Sequence, residues 1–148
     1  MKRILIGGLV VGILDITEVI IFYAFRGISP MRILQSVARG LYGQDAFTGG
    51  VRTAIIGLAL HFFIAFCVVA TYYAVSRRVT ALRTHPFIAG AIYGVLVYLF
   101  MNFVVLPLSA VGPPKFTTVG VANQLFAHLF CIGIPAALFA SVHPERAT

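Results

Sequence analysis

The chain has 148 residues, of which 60% are apolar and 10% charged, with a formal net charge of +7. Four apolar stretches, residues 4–25, 51–75, 86–109 and 118–142, take up most of it, and each is long enough to cross a hydrocarbon core of ~30 Å at ~1.5 Å rise per residue. This predicts a single all-α integral membrane domain of four transmembrane helices and leaves no length for a soluble catalytic domain; the positive charge, carried by arginines in short loops, is assigned to lipid headgroups rather than to nucleic acid.

Residues 4–25 follow Met1-Lys2-Arg3 as a signal peptide would, but the run is long, contains Asp15 and Glu18, and lacks a small-x-small cleavage site, so it reads as a retained first span. Gly8-x-x-x-Gly12 strips side chains from one face, which lets a neighbouring backbone approach closely and points Asp15 into the bundle. An ionised carboxylate near mid-membrane costs ~2.5–3.5 kcal/mol, so Asp15 must be protonated, paired or wet. Glu18, one turn on, is expected to share its face.

The segment that follows is neither span nor plain loop. Ser29-Pro30 has the form of a cap followed by proline at the first helical position, and Gly43 supplies a stop, which predicts a helix over 30–42. Arg32, Gln35, Ser36 and Arg39 recur at helical spacing opposite Ile33, Leu34, Val37, Ala38 and Leu41. A basic amphipathic helix of this kind lies in the interface with its arginines on headgroups; the alternative role is a lid over the polar core.

The second span carries His61 about ten residues in, and the fourth carries His128 at the same remove from its own start. If the spans alternate direction, these two run parallel and bring both imidazoles to nearly one depth. Cys67 and Cys131 lie within the same spans, without C-x-x-C spacing, and read as small packing residues. With no tryptophan in the chain, Tyr23 and the Tyr72-Tyr73 pair are expected to serve as interfacial anchors. The loop bearing Arg77, Arg78 and Arg83 is the densest basic cluster; Arg77 and Arg78 join Arg32 and Arg39 as headgroup contacts. Together with Lys2-Arg3 it places both termini on the cytoplasmic side.

In the third span Gly90-x-x-x-Gly94 leads at helical spacing to Tyr98 and Asn102, and in the fourth Gln124, His128, Cys131 and Pro135 fall on one face. Pro135 is expected to leave the Cys131 carbonyl without its amide partner. The halves echo one another: Gly8 to Leu14 matches Gly90 to Leu96, and His61-x-Phe63 matches His128-x-Phe130. The two offsets differ by about the length of the amphipathic insertion, as a duplicated helical hairpin would require.

The run Gly90-x3-Gly94-x7-Asn102-x4-Pro107-Leu108-x4-Pro113-Pro114, then Gln124-x3-His128, preceded by His61-x10-Tyr72, resembles the YagU-like family of small bacterial inner-membrane proteins of unknown function, over roughly residues 57–135. The resemblance implies a bacterial inner-membrane location and supplies no substrate. The family pattern has histidine where this chain has Asn102 and a carboxylate where it has Gln124, so two titratable positions are neutral here.

The expected core is a polar cluster of Asp15, His61, Asn102, Gln124 and His128, with Tyr98 and Glu18 as further candidates. The function read from it is non-enzymatic: passage or sensing of a proton, ion or small solute, in a protein that self-associates or joins another membrane protein. No catalytic residue, metal or cofactor is expected in that reading. Two alternatives remain open: haem b ligated by His61 and His128 in a membrane redox protein, and a structural or assembly partner.

Overall fold

The computed structural model describes residues 2–141. Among them are four helices long and apolar enough to cross a membrane: a first span Lys2–Ala24, a second Gly50–Ser76, a third Pro86–Leu108 and a fourth Thr118–Ser141. Residue 142, expected as the end of the fourth, and Arg146 lie outside the described residues. The spans are apolar on all sides, with Leu5, Leu9, Ile55, Ile92, Leu96 and Phe130 among the side chains left exposed. Such a surface suits lipid and not water. The chain is an all-α, multi-pass membrane protein.

Each connection has a local cause. Past Ala24 the Arg26 guanidinium donates to the Phe22 carbonyl at 3.0 Å and stacks 3.8 Å over its ring, satisfying a helix-end acceptor. Gly27, at φ 74°, then reverses the chain. The connecting helix Pro30–Tyr42 starts where the Ser29 side chain accepts from the Arg32 amide at 3.3 Å, and a 3-10 turn, Gly43–Phe47, follows it. On the opposite face the short helix Ala81–Thr84 links the second and third spans, fastened by the Tyr72 hydroxyl donating to the Leu82 carbonyl at 2.8 Å. Tyr72 is therefore fully buried, edge-on to Tyr93 with ring centroids 4.9 Å apart, and is not an interfacial anchor.

The two hairpins pack in one register. In the first, Gly8 faces Phe66 and Gly12 faces Phe62, whose nearest ring carbon would lie 2.6 Å from an added Cβ. In the second, Gly90 faces Ile134 and Gly133, and Gly94 faces the His128 carbonyl and Leu129. The second glycine of each pair thus meets the partner helix at its histidine or the residue after it. Glycine is required because backbone or ring occupies the space a Cβ would take, and such contact is what holds helices together in lipid.

The first span packs on the second and fourth, the fourth on the third, and the second diagonally on the fourth. The second and third spans meet through Tyr93, whose ring packs on Tyr72 and whose hydroxyl donates to the Val68 carbonyl at 2.8 Å, and they splay apart beyond it. The two prolines within the spans of the second hairpin, past their first turns, are absorbed by π turns, Met101–Val105 two residues before Pro107 and His128–Gly133 two residues before Pro135. A proline lacks the N–H and crowds the carbonyl four residues back, and one extra residue per turn relieves both. Around Cys131 the turn is widened, and the Ile134 amide donates to the Leu129 carbonyl.

Candidate functional site

Inside the bundle is a cavity of about 260 Å³ whose polar lining consists of Asp15, His61, Asn102, Gln124 and His128. Every span contributes, and Val37 of the connecting helix also lines it. Asp15, His61 and His128 each stand nine to eleven residues from the end of their span on the connecting-helix side, roughly 15 Å deep at ~1.5 Å per residue. Asn102 and Gln124 are each six residues from the same side, about 9 Å deep. The polar groups therefore form two layers beneath the connecting helix.

The hydrogen bonds determine where the ring protons are. His61 Nε2 lies 2.8 Å from the Gly12 carbonyl oxygen. A carbonyl only accepts, so this nitrogen donates, and in the neutral ring Nδ1 is left as an acceptor. Gly12 makes the bond accessible by bringing no side chain of its own. His128 Nδ1 lies 2.7 Å from the Gln124 carbonyl oxygen, one turn back on its own helix, so this ring has the opposite tautomer and Nε2 is the acceptor. Its face meets Tyr98 edge-on at 5.6 Å.

The Asp15 carboxyl shares the cavity with both rings. Asp15 Oδ2 is 3.9 Å from His61 Nδ1, too far for a direct hydrogen bond, so with Nδ1 bare two acceptors face each other and charge attraction arises only when the ring is protonated. A single water or a proton-bearing group would bridge that gap. Asn102 donates Nδ2 to the Tyr98 carbonyl at 2.9 Å and to Gln124 Oε1 at 3.1 Å. Its Oδ1 has no partner, although the residue is only 2% exposed. A buried unpaired acceptor is costly, and this one is sealed off from the cavity by its neighbours. With both imidazoles neutral, the cavity presents three acceptors, Asp15, His61 Nδ1 and His128 Nε2, against the amide N–H group of Gln124.

Glu18 is not part of this cavity. It lines a separate, lipid-facing groove with Ile13, Leu14, Ile21 and Phe126, close to the Asn123 side chain. A step of three residues turns a helix by 300°, so Glu18 lies about 60° from Asp15, and that rotation carries it past the bundle interior to the seam between the first and fourth spans.

The roof of the site was partly hidden in the sequence. The connecting helix lies against the second span, with the Leu34 carbonyl directly over Gly57 and Ala38 fully buried. Gln35 is 3% exposed and donates to the Gly50 carbonyl at 3.0 Å, so it belongs to the packed face and not the headgroup face. The Ala110 amide donates to the Gly40 carbonyl at 3.1 Å, tying the helix to the loop after the third span. Arg32 and Arg39 converge on the Phe47 ring, at 4.2 and 5.6 Å from its centroid. Arg77 and Arg78 are exposed on the opposite face, and Cys67 is exposed rather than packed.

Among the described residues no group of three or more His, Cys, Asp and Glu side chains is arranged to hold a metal ion. No family model matches the chain, and no curated protein or solved structure matches it. The reading of this site therefore rests on its own geometry.

Proposed function

We propose that the chain is a small protein of the bacterial inner membrane, similar to the YagU-like proteins, that binds a proton, small cation or small polar solute in its intramembrane cavity in order to pass or sense it. The observation that carries this reading is the excess of acceptors around a cavity with room for several waters. Hydrogen-bond donors, above all protons and protonated groups, are what such a site lacks. Both termini are cytoplasmic in this proposal, so the connecting helix with Val37 caps the cavity from the outer side. The bundle encloses little volume by itself, and the protein works with further copies or with another membrane protein.

The haem alternative is served less well by this geometry. The cavity of about 260 Å³ is below the ~300–1,000 Å³ of pockets that enclose drug-sized ligands.

Asp15→Asn in reconstituted vesicles tests the proposal. The amide keeps shape and hydrogen bonding and costs less in hydrocarbon than a carboxylate, so folded yield is expected to be unchanged while any pH-dependent proton or solute leak is abolished. Transport with unaltered pH dependence in the variant would remove Asp15 from the mechanism and transfer it to the two histidines.

A further inference from the structure

The cavity also has an apolar neighbour. Where the second and third spans splay apart, a groove of about 560 Å³ runs between them, rimmed by exposed Phe63, Cys67, Thr71, Leu96 and Phe100. Ile64, Val68, Val97 and Met101 line both the groove and the polar cavity, so a single layer of side chains separates lipid from the acceptor cluster. Met101 opens the π turn of the third span, and its unbranched thioether side chain adapts readily to a changed space. The groove presents almost only hydrocarbon, while the cavity behind it presents Asp15, His61 Nδ1 and His128 Nε2.

We propose that groove and cavity form one site for a single-chain lipophilic amine, which approaches from the bilayer between the second and third spans. Its hydrocarbon chain lies in the groove and its ammonium group lies among the three acceptors. An ammonium carries three donors and no acceptor, which complements the cluster in both number and charge. A fatty-acid carboxylate would face Asp15 with like charge, and an alcohol would satisfy a single acceptor. The inference rests on the donor-binding reading above and adds to it the ligand class and the direction of approach.

The full-length protein in lipid nanodiscs, with empty nanodiscs as baseline, is titrated with dodecylamine, dodecanoate and methylammonium, and bound ligand is counted by native mass spectrometry. Dodecylamine is expected to bind one per chain and about tenfold or more tighter than dodecanoate, and Asp15→Asn is expected to weaken it by a similar factor. Ile64→Phe, which thickens the shared wall, is expected to weaken dodecylamine and spare methylammonium. His128→Phe removes an acceptor without removing the carboxylate; it is expected to weaken both amines and provides a reading even where Asp15→Asn fails to fold. Equal binding of dodecylamine and dodecanoate, indifferent to all three substitutions, would overturn the proposal and leave the groove as a place for ordinary acyl chains. Asp15-dependent binding of methylammonium without dodecylamine would overturn lateral access alone and keep the donor site. Binding of neither amine would remove both readings.

Discussion

At the scale of single residues, the account turns on glycines and on the polar atoms they admit. Gly94 has the His128 carbonyl where a Cβ would go, whereas an added Cβ at Gly40 meets nothing nearer than Leu60 Cδ2 at 3.9 Å. Gly94→Ala is therefore expected to destabilise the protein by about 1–3 kcal/mol through overpacking, measured by unfolding in mixed detergent. Gly40→Ala is expected to be neutral or to gain up to about 1 kcal/mol of helix propensity, and equal losses at the two sites would contradict the packing described. Asp15, His61, Asn102, Gln124 and His128 are legible in the sequence because polar residues are rare in a span and the glycine faces indicate which side is inward. Glu18 is not placed correctly by the same reasoning, since a three-residue step and a four-residue step leave a helix on opposite sides of an axis, and only the neighbouring helices decide which side is interior. Gln35 is misread for a related reason: a polar residue on an amphipathic helix is assigned to water unless a buried carbonyl partner, here Gly50, is known.

At the scale of elements, the connecting helix is the part whose role the structure changes most. Its limits follow from Ser29, Pro30 and Gly43 in the sequence, because capping chemistry is local. Its docking depends on Gly57, fifteen or more residues away, and on Ala110, which no periodicity within the helix reveals. Gly57→Ala places a Cβ against the Leu34 carbonyl and is expected to lift the helix off the second span. Hydrogen exchange should then quicken across residues 33–41 while the spans keep their protection. Unchanged exchange there would mean that the helix is held by other contacts and is not a movable roof. The π turns are half legible: Pro107 and Pro135 announce a disturbance, but whether a helix kinks, breaks or widens depends on what packs against it. Here Gly90, Gly94 and Gly133 bring two backbones together and favour the widened turn, which sets Asn102 and His128 around the cavity.

At the scale of the whole molecule, four spans place the basic loop of Arg77, Arg78 and Arg83 on the same face as Lys2, with Arg26, Arg32, Arg39, Arg52 and Lys115 on the other. In the proposed topology the second group is outside, so a cysteine placed at Lys115 is expected to react with a membrane-impermeant reagent in intact cells, and one placed at Arg78 only after lysis. The reverse pattern would invert the protein and turn the roofed side of the cavity toward the cytoplasm. The shared register of the two hairpins was visible in the sequence as an echo of glycines and histidines; the gap between the second and third spans was not, since apolar side chains facing a neighbour and apolar side chains facing lipid have the same composition. The central claim, that the cavity is rich in acceptors, is tested most directly by nitrogen NMR of histidine-labelled protein in lipid at alkaline pH, with His61→Asn and His128→Asn used for assignment. The account predicts opposite tautomers, His61 protonated at Nε2 and His128 at Nδ1, each with its other nitrogen bare. A proton on His61 Nδ1 or on His128 Nε2 in the neutral rings would turn an acceptor of the cavity into a donor and contradict it.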